Sequence, residues 1–154
     1  MKRILLKSVY DAFDYVMDHY SPAGVDKQTQ QDDTYAIISI QDSIHGGFGF
    51  SFCENAFYKG VLTLCFDDIV MPVDGAVLFT EEDAMRIISF VQTHKDVESL
   101  VVHCYAGQSR SRAVAAFCTK LLTGKDSKYL GKTNYNTFVY DVLSRTWAES
   151  SKEK

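Results

Sequence analysis

Residues 103–111, His-Cys-Tyr-Ala-Gly-Gln-Ser-Arg-Ser, put a thiol, a guanidinium, hydroxyls and a glycine into one short loop. The apolar run Leu100-Val101-Val102 before it predicts a buried strand, and the run Ala113-Val114-Ala115-Ala116-Phe117 after it predicts a helix. The first N–H groups of a helix lack intrahelical partners, and its dipole favours negative charge at that end. A strand, a glycine-containing loop and a helix start therefore form an anion cradle. Cys104 lies in it as a candidate nucleophile. A cysteine thiol ordinarily titrates near about 8.5 and falls to ~3.5–7.5 beside helix N-termini or cations. Arg110 offers a planar fork that matches two oxygens of a phosphate, which a lysine cannot do. Gly107 lets the loop curl so that the amides of Tyr105, Ala106, Gly107, Gln108, Ser109 and Arg110 face the anion. Ser111 can donate to the thiolate or to a departing sulfur. His103 either fixes the loop by hydrogen bonding or helps the cysteine to ionise. The combination points to a thiolate attacking a bound phosphate.

The Cys104-x5-Arg110 spacing inside His-Cys-x-x-Gly-x-Ser-Arg-Ser resembles the phosphate-binding loop of cysteine-dependent protein tyrosine phosphatases. Chain length and flanking sequence are most similar to the small dual-specificity branch, in particular its compact bacterial or phage-type members. The likeness spans roughly residues 34–147. It implies a cysteinyl-phosphate intermediate, a phosphorylated protein or peptide as substrate, and no cofactor. The chain is shorter than the larger tyrosine-specific domains and shows no counterpart of their tyrosine-clamping loop. That implies a shallower pocket, open to phosphoserine and phosphothreonine as well as phosphotyrosine. The interior loop positions Tyr105, Ala106 and Gln108 lack the extra positive charge of the phosphoinositide-cleaving members. A phosphate-binding module without turnover and an RNA 5′-phosphatase on the same loop are the alternative readings.

Ester cleavage also needs a proton for the leaving oxygen, worth ~10²–10⁴-fold in rate. The best candidates are Asp67 and Asp68, which end the strand-like run Val61–Phe66. Asp68 continues the face of Leu62, Leu64 and Phe66, and the family's strand-then-Asp pattern also favours it; Asp67 is the alternative. Asp74 reads as a turn residue in the loop 69–75, whose Met71, Pro72 and Gly75 suit a movable flap. The other cysteines, Cys53, Cys65 and Cys118, read as small buried hydrophobes. His45, in the glycine-containing loop after the strand at 35–40, reads first as a solvated loop histidine and second as a candidate wall of the substrate pocket, and Asp42 is similarly ambiguous.

The elements that must position these groups follow from periodicity. Val9, Ala12, Phe13, Val16, Met17 and Tyr20 recur at helical spacing and stop at Ser21-Pro22-Ala23-Gly24. Strands are predicted at 35–40, 61–66 and 99–103. Thr80 is a plausible N-cap, followed by Glu81, Glu82 and Asp83 and the stripe Ala84, Ile87, Ile88 and Val91. The helix from Arg110 stops near Leu122, with Gly124 as its C′ residue. A last helix carries Phe138, Val139, Val142, Leu143 and Trp147 on one core-facing side, and Tyr135 belongs to the same stripe. Helices alternating with short apolar strands predict one α/β layered domain over residues 1–154, its sheet mostly parallel and flanked by helices, with the loop at the carboxyl end of a central strand.

Composition narrows the function classes. The 154 residues carry a net charge of −4 and are 46% hydrophobic and 23% charged, as in an ordinary soluble domain. An acidic balance without a basic track argues against nucleic acid or an anionic membrane as partner. No run is long enough to span a bilayer, and Ile4-Leu5-Leu6 is too short for a signal-peptide core. Four scattered cysteines suggest no disulfide framework and no zinc spacing. A reducing, cytoplasmic setting is expected, which a thiolate enzyme requires. Oligomeric state is not fixed by these features.

Overall fold

The computed structural model describes residues 1, 3–20, 34–43, 52, 58–125 and 134–152. His45, Cys53, the polar stretch 27–33 and the lysines at 128 and 132 lie outside the described residues. The elements run β1 (Arg3–Lys7), α1 (Val9–Tyr20), β2 (Tyr35–Gln41), β3 (Tyr58–Cys65), α2 (Glu81–Thr93), β4 (Ser99–His103), α3 (Arg110–Thr123) and α4 (Thr137–Lys152). The sheet order is β1-β4-β2-β3, and every pairing is parallel. The loop that follows β4 therefore leaves the middle of the sheet.

The pleat sorts residues onto two faces. Ala36, Ile38 and Ile40 of β2, Leu62 and Leu64 of β3, and Leu100 and Val102 of β4 join one core with Ala84, Ile87, Val91, Val114, Phe117, Val139 and Leu143 of the helices α2, α3 and α4. Tyr35 and Ile37 of β2 and Val101 of β4 face the other way, against Ala12 of α1 and Phe52. Helices cover both faces, so all seven residues of β2 are buried. That is why Tyr35-Ala36-Ile37-Ile38-Ser39-Ile40 reads as a continuous apolar run rather than an alternating one.

Local signals explain the helix ends. Thr80 Oγ1 accepts from Asp83 N at 3.1 Å, and Asp83 Oδ2 accepts from Thr80 N at 3.1 Å, a reciprocal capping box that starts α2. Gly124 stops α3 at φ 74°, its N–H donating to Lys120 O at 2.8 Å.

Three expectations need correction. β1 is a strand that the apolar run Ile4-Leu5-Leu6 did not announce. Its residues pair with all five of β4, Arg3 opposite Ser99 through Lys7 opposite His103. In α1, Val9 and Ala12 are buried, but Phe13 and Met17 are each 43% exposed and so lie off the core-facing stripe. Cys65 is exposed, because it sits on the outer strand of the described sheet; only Cys118 of the other cysteines fits the buried-hydrophobe reading among the described residues. No helix in the described residues is long and apolar enough to cross a membrane.

Candidate active site

Cys104 follows β4 directly and is 3% exposed. It continues the face of Leu100 and Val102, so its thiol lies on the side of α3. Gly107 N–H donates to its Sγ at 3.3 Å, and Ser111 Oγ lies 3.1 Å from it. Burial pushes this thiol up, but the Ser111 hydroxyl and N–H, the Arg110 charge and the Gly107 N–H together outweigh it and hold the group below the ordinary thiol range. Gly107 has φ 71°, and a Cβ there would lie 2.7 Å from the backbone of Lys7 and Ser8. Conformation and close approach to the end of β1 both demand glycine. A further tie, Val9 N–H to Tyr105 O at 3.0 Å, joins the loop to the start of α1.

Tyr105 is half exposed; its ring meets Tyr10 edge-on at 6.1 Å, and hydrogen bonding between the two phenols raises its pKa. Ala106 and Gln108 are exposed on the loop surface, where Gln108 O accepts from Arg112 Nε at 3.2 Å. Ser109 is the N-cap of α3, yet its hydroxyl makes no cap bond. It donates instead to Asp68 Oδ1 at 2.8 Å. Arg110, 5% exposed, donates through Nη1 to Phe66 O at 2.8 Å and to Asp42 Oδ1 at 2.6 Å. Of the two ambiguous loop residues, Asp42 thus belongs to the site.

The adjacent aspartates have separate positions. Asp67 Oδ1 accepts from Ser43 N at 3.0 Å, and Oδ2 from Ser43 Oγ at 2.5 Å and Val77 N at 2.7 Å. With Asp67 N donating to Val77 O at 2.8 Å, the residue closes the base of the loop 68–76. Burial raises its pKa, but the Ser43 and Val77 hydrogen bonds and Arg110 lower it further, leaving it below the usual carboxylate range. Asp68 instead reaches the Cys104–Ser111 loop, through Ser109 and through Asn136, whose Nδ2 donates to Asp68 Oδ1 at 2.9 Å. Asp74 is exposed on the outer turn of that loop, next to Gly75.

Asn136 is a site residue that the sequence reading missed. It is 3% exposed; its Oδ1 caps α4 by accepting from Val139 N at 3.0 Å, while Nδ2 holds both Asp68 and Ile69 O. An asparagine just before a helical stripe is a cap signal that could have singled it out. Nothing in the sequence aimed its other end at residue 68.

His103 turns to the opposite face, next to Phe52. Its Nδ1–H donates to Cys104 O at 3.1 Å, and its Nε2 lies 2.7 Å from Ser39 Oγ, the residue directly opposite in β2. Gln41 Nε2 donates to Ser39 Oγ at 2.9 Å. Since the carbonyl can only accept, Nδ1 holds the proton and Nε2 accepts from the serine. Burial lowers this imidazole to about 4, against a weaker opposing effect of the Cys104 carbonyl. It is neutral near pH 7 and fixes the loop; strand alternation keeps it from acting as base for the thiol. Cys118 is buried, its thiol pushed up to about 12, and so is inert at neutral pH. Among the described residues, no three His, Cys, Asp or Glu side chains are grouped to hold a metal ion.

No protein-family model and no curated protein matches the sequence. Solved structures do match in three dimensions. Tk-PTP in its active form aligns over 95% of this chain and 91% of its own, at 14% identity and a TM-score of 0.58. PTPMT1 in complex with PI(5)P aligns over 99% and 95%, at 14% identity and a TM-score of 0.57. The human tyrosine phosphatase-like serine/threonine/tyrosine-interacting protein aligns over 86% and 88%, at 16% identity and a TM-score of 0.53. At these identities the likeness is one of fold.

Proposed function

We propose that this chain, which has the fold of tyrosine and dual-specificity phosphatases, hydrolyses phosphate monoesters on proteins or peptides through a cysteinyl-phosphate. The observation that carries the reading is the pair of contacts to Cys104 Sγ, from Ser111 Oγ and Gly107 N–H, with the buried Arg110 directly before that serine. A core cysteine needs neither contact; a thiolate needs both.

In the first step the thiolate attacks phosphorus in line with the ester oxygen. The phosphorus–oxygen bond breaks, and Asp68 gives its proton to the leaving oxygen. Ser109 and Asn136 both donate to Oδ1 of Asp68, which leaves Oδ2 to hold that proton. Arg110 and the loop amides balance charge on the equatorial oxygens. In the second step the Asp68 carboxylate takes a proton from water, water oxygen bonds to phosphorus, and Cys104 departs as a thiolate stabilised by Ser111. Asp67 takes no part in proton transfer, because its oxygens are committed to Ser43 and Val77. The positive charge comes from the protein, so the scheme uses no cofactor. A reducing compartment suits the thiolate.

Phosphotyrosine is the reference substrate, and phosphoserine and phosphothreonine follow if the pocket is shallow. Turnover of nitrophenyl phosphate and of a phosphopeptide panel by the wild type and Cys104→Ser tests the reading. The wild type should turn over and the variant should bind without turnover. Full activity in Cys104→Ser would refute the mechanism, and the panel separates tyrosine-only from dual specificity.

A further inference from the structure

The loop between Asp68 and Thr80 exposes apolar side chains that a turn does not need. Val70, Met71, Val73 and Val77 are all between 42% and 62% exposed. Loops draw mostly on glycine, proline, asparagine, aspartate and serine. One exposed valine calls for no explanation, but four large apolar side chains within eight residues do. Loose backbone does not account for them, because the stretch is tied at several points. Asp67 joins its base to Ser43 and Val77, Asn136 Nδ2 donates to Ile69 O at 3.1 Å, and Ala76 N–H donates to Val73 O at 3.1 Å. Beyond it Phe79 is buried against Phe66. The fold holds this loop with its apolar side chains outward.

Met71 and Val73 follow Asp68 by three and five residues. The ester oxygen that takes the Asp68 proton belongs to the phosphorylated residue, so the peptide backbone passes within a few residues of the loop. An extended chain advances about 3.3–3.6 Å per residue, and three residues reach about 10 Å along the rim. Asp74, on the outer turn, is exposed and forms no ion pair with a described residue. Its carboxylate repels an acidic peptide and attracts a basic one over the ~8 Å that exposed charges act at physiological salt.

We infer that residues 70–77 are a docking platform for the substrate peptide. Met71 and Val73 receive an aliphatic side chain within three positions of the phosphoresidue, and Asp74 receives a lysine or arginine beyond it. This platform presupposes the phosphatase reading, since the phosphoresidue must sit at Cys104, and it adds what must flank that residue. An anionic lipid surface fits less well, because Asp68 and Asp74 both stand on the loop and the chain carries a net charge of −4.

Phosphotyrosine peptides with alanine flanks are compared with peptides carrying leucine near the phosphoresidue on either side, and with leucine followed by arginine or by glutamate. Affinity is measured by calorimetry on Cys104→Ser, and kcat/KM on the active enzyme. Nitrophenyl phosphate has no flank and reports the chemistry alone. Leucine should tighten binding about tenfold over alanine. Arginine should add about threefold, an increment that high salt removes. The double variant Met71→Ser, Val73→Ser should erase the preference for leucine and leave turnover of nitrophenyl phosphate within about twofold. Asp74→Lys should turn the preference from arginine to glutamate while keeping that for leucine. Leu122→Ser changes an exposed apolar residue about 18 Å along α3 from Arg110 and should alter nothing.

Equal affinity of the Cys104→Ser protein for all the peptides overturns the inference, as does a leucine preference that survives the double variant. So does a wild-type dimer in sedimentation that the double variant makes monomeric, which assigns the patch to a second copy of the chain. Cosedimentation with phosphatidylserine vesicles that the double variant abolishes would assign it to lipid instead. Should the double variant fail to fold, the charge reversal at Asp74 decides. A wild type that leaves nitrophenyl phosphate intact refutes the proposed function, whereas the peptide preferences of Cys104→Ser are read from binding alone.

Discussion

Replacing Ser111 with alanine removes a hydroxyl 3.1 Å from the Cys104 sulfur while keeping the backbone N–H that also supports the thiolate. The thiol is 3% exposed, so water does not take over the lost contact. A hydrogen bond to a charged group contributes about 1.5–3 kcal/mol, and one pKa unit corresponds to about 1.4 kcal/mol. The Cys104 pKa should therefore rise by about one to two units. Gly107 N–H and the Arg110 charge remain and stop the thiol from returning to the fully desolvated value.

The assay is thiolate ultraviolet absorbance against pH, with Cys104→Ser subtracted to remove the other cysteines. A kinetic signature accompanies it. In the second step the sulfur leaves as a thiolate, so loss of the hydroxyl slows breakdown of the cysteinyl-phosphate more than its formation. Pre-steady-state measurements should show a burst of nitrophenol followed by a kcat about 10–10²-fold lower, the same free energy expressed as rate. Ser111→Thr keeps a hydroxyl and should recover most of both effects. An unchanged thiol pKa in Ser111→Ala would show that the serine is merely packed there and would remove it from the mechanism.

Asp68→Asn should slow alkyl phosphates and spare nitrophenyl phosphate, whose leaving group needs little help, as a leaving-group series will show. Asp67→Asn should lower thermal stability and affect all leaving groups alike, because both carboxylate oxygens accept from backbone N–H groups and an amide must turn its NH2 toward one of them. Gly107→Ala should cost at least about 2 kcal/mol from positive φ and backbone overlap, or a fall in Tm of several degrees by calorimetry. His103 predicts a pH dependence: lowered to about 4 by burial, it binds fewer protons folded than unfolded. Its contribution is complete above about pH 6.5 and is lost as pH falls toward 4, by up to ~3 kcal/mol, so urea midpoints should drop across that window less steeply in His103→Asn.

What could be read from the sequence was local. The Cys104–Ser111 loop, the Thr80 cap and the Gly124 stop each depend on residues a few positions apart, and periodicity located the helices and the strands β2, β3 and β4. β1 escaped because five residues with apolar positions 4–6 and basic ends give no period to count. Phe13 and Met17 were misassigned because helical spacing identifies a stripe without saying how wide the core beneath it is. The partners of Asp42, Ser43 and Asn136 were out of reach for another reason. They lie 68, 24 and 68 positions away in sequence, and only strand register and helix docking bring each pair together.

Parity along the parallel strands explains how one strand end can serve both the chemistry and its support. Register places Ser39 opposite both Thr63 and His103, and Gln41 opposite Cys65. One step on, Cys104 continues the even-numbered face of Leu100 and Val102, and Asp42 follows Ile38 and Ile40 toward Arg110. Asp68 follows Leu62, Leu64 and Phe66 to the same side, where Ser109 meets it. The odd-numbered residues make the complementary set: His103 to Ser39, Gln41 to Ser39, and Asp67 to Ser43, two positions beyond the last register pair. Each odd-numbered group is closed on a partner, while the even-numbered groups converge on the thiol, the arginine and the acid. A one-residue slip of β2 against its neighbours would exchange the sets, presenting Gln41 and Ser43 to Arg110 and burying Asp42 beside His103. The site is thus specified by register as much as by motif. A deletion in β2 should abolish oxyanion binding even with residues 103–111 intact, and a paired deletion in β3 should not restore it, because β4 holds β2 from the other side.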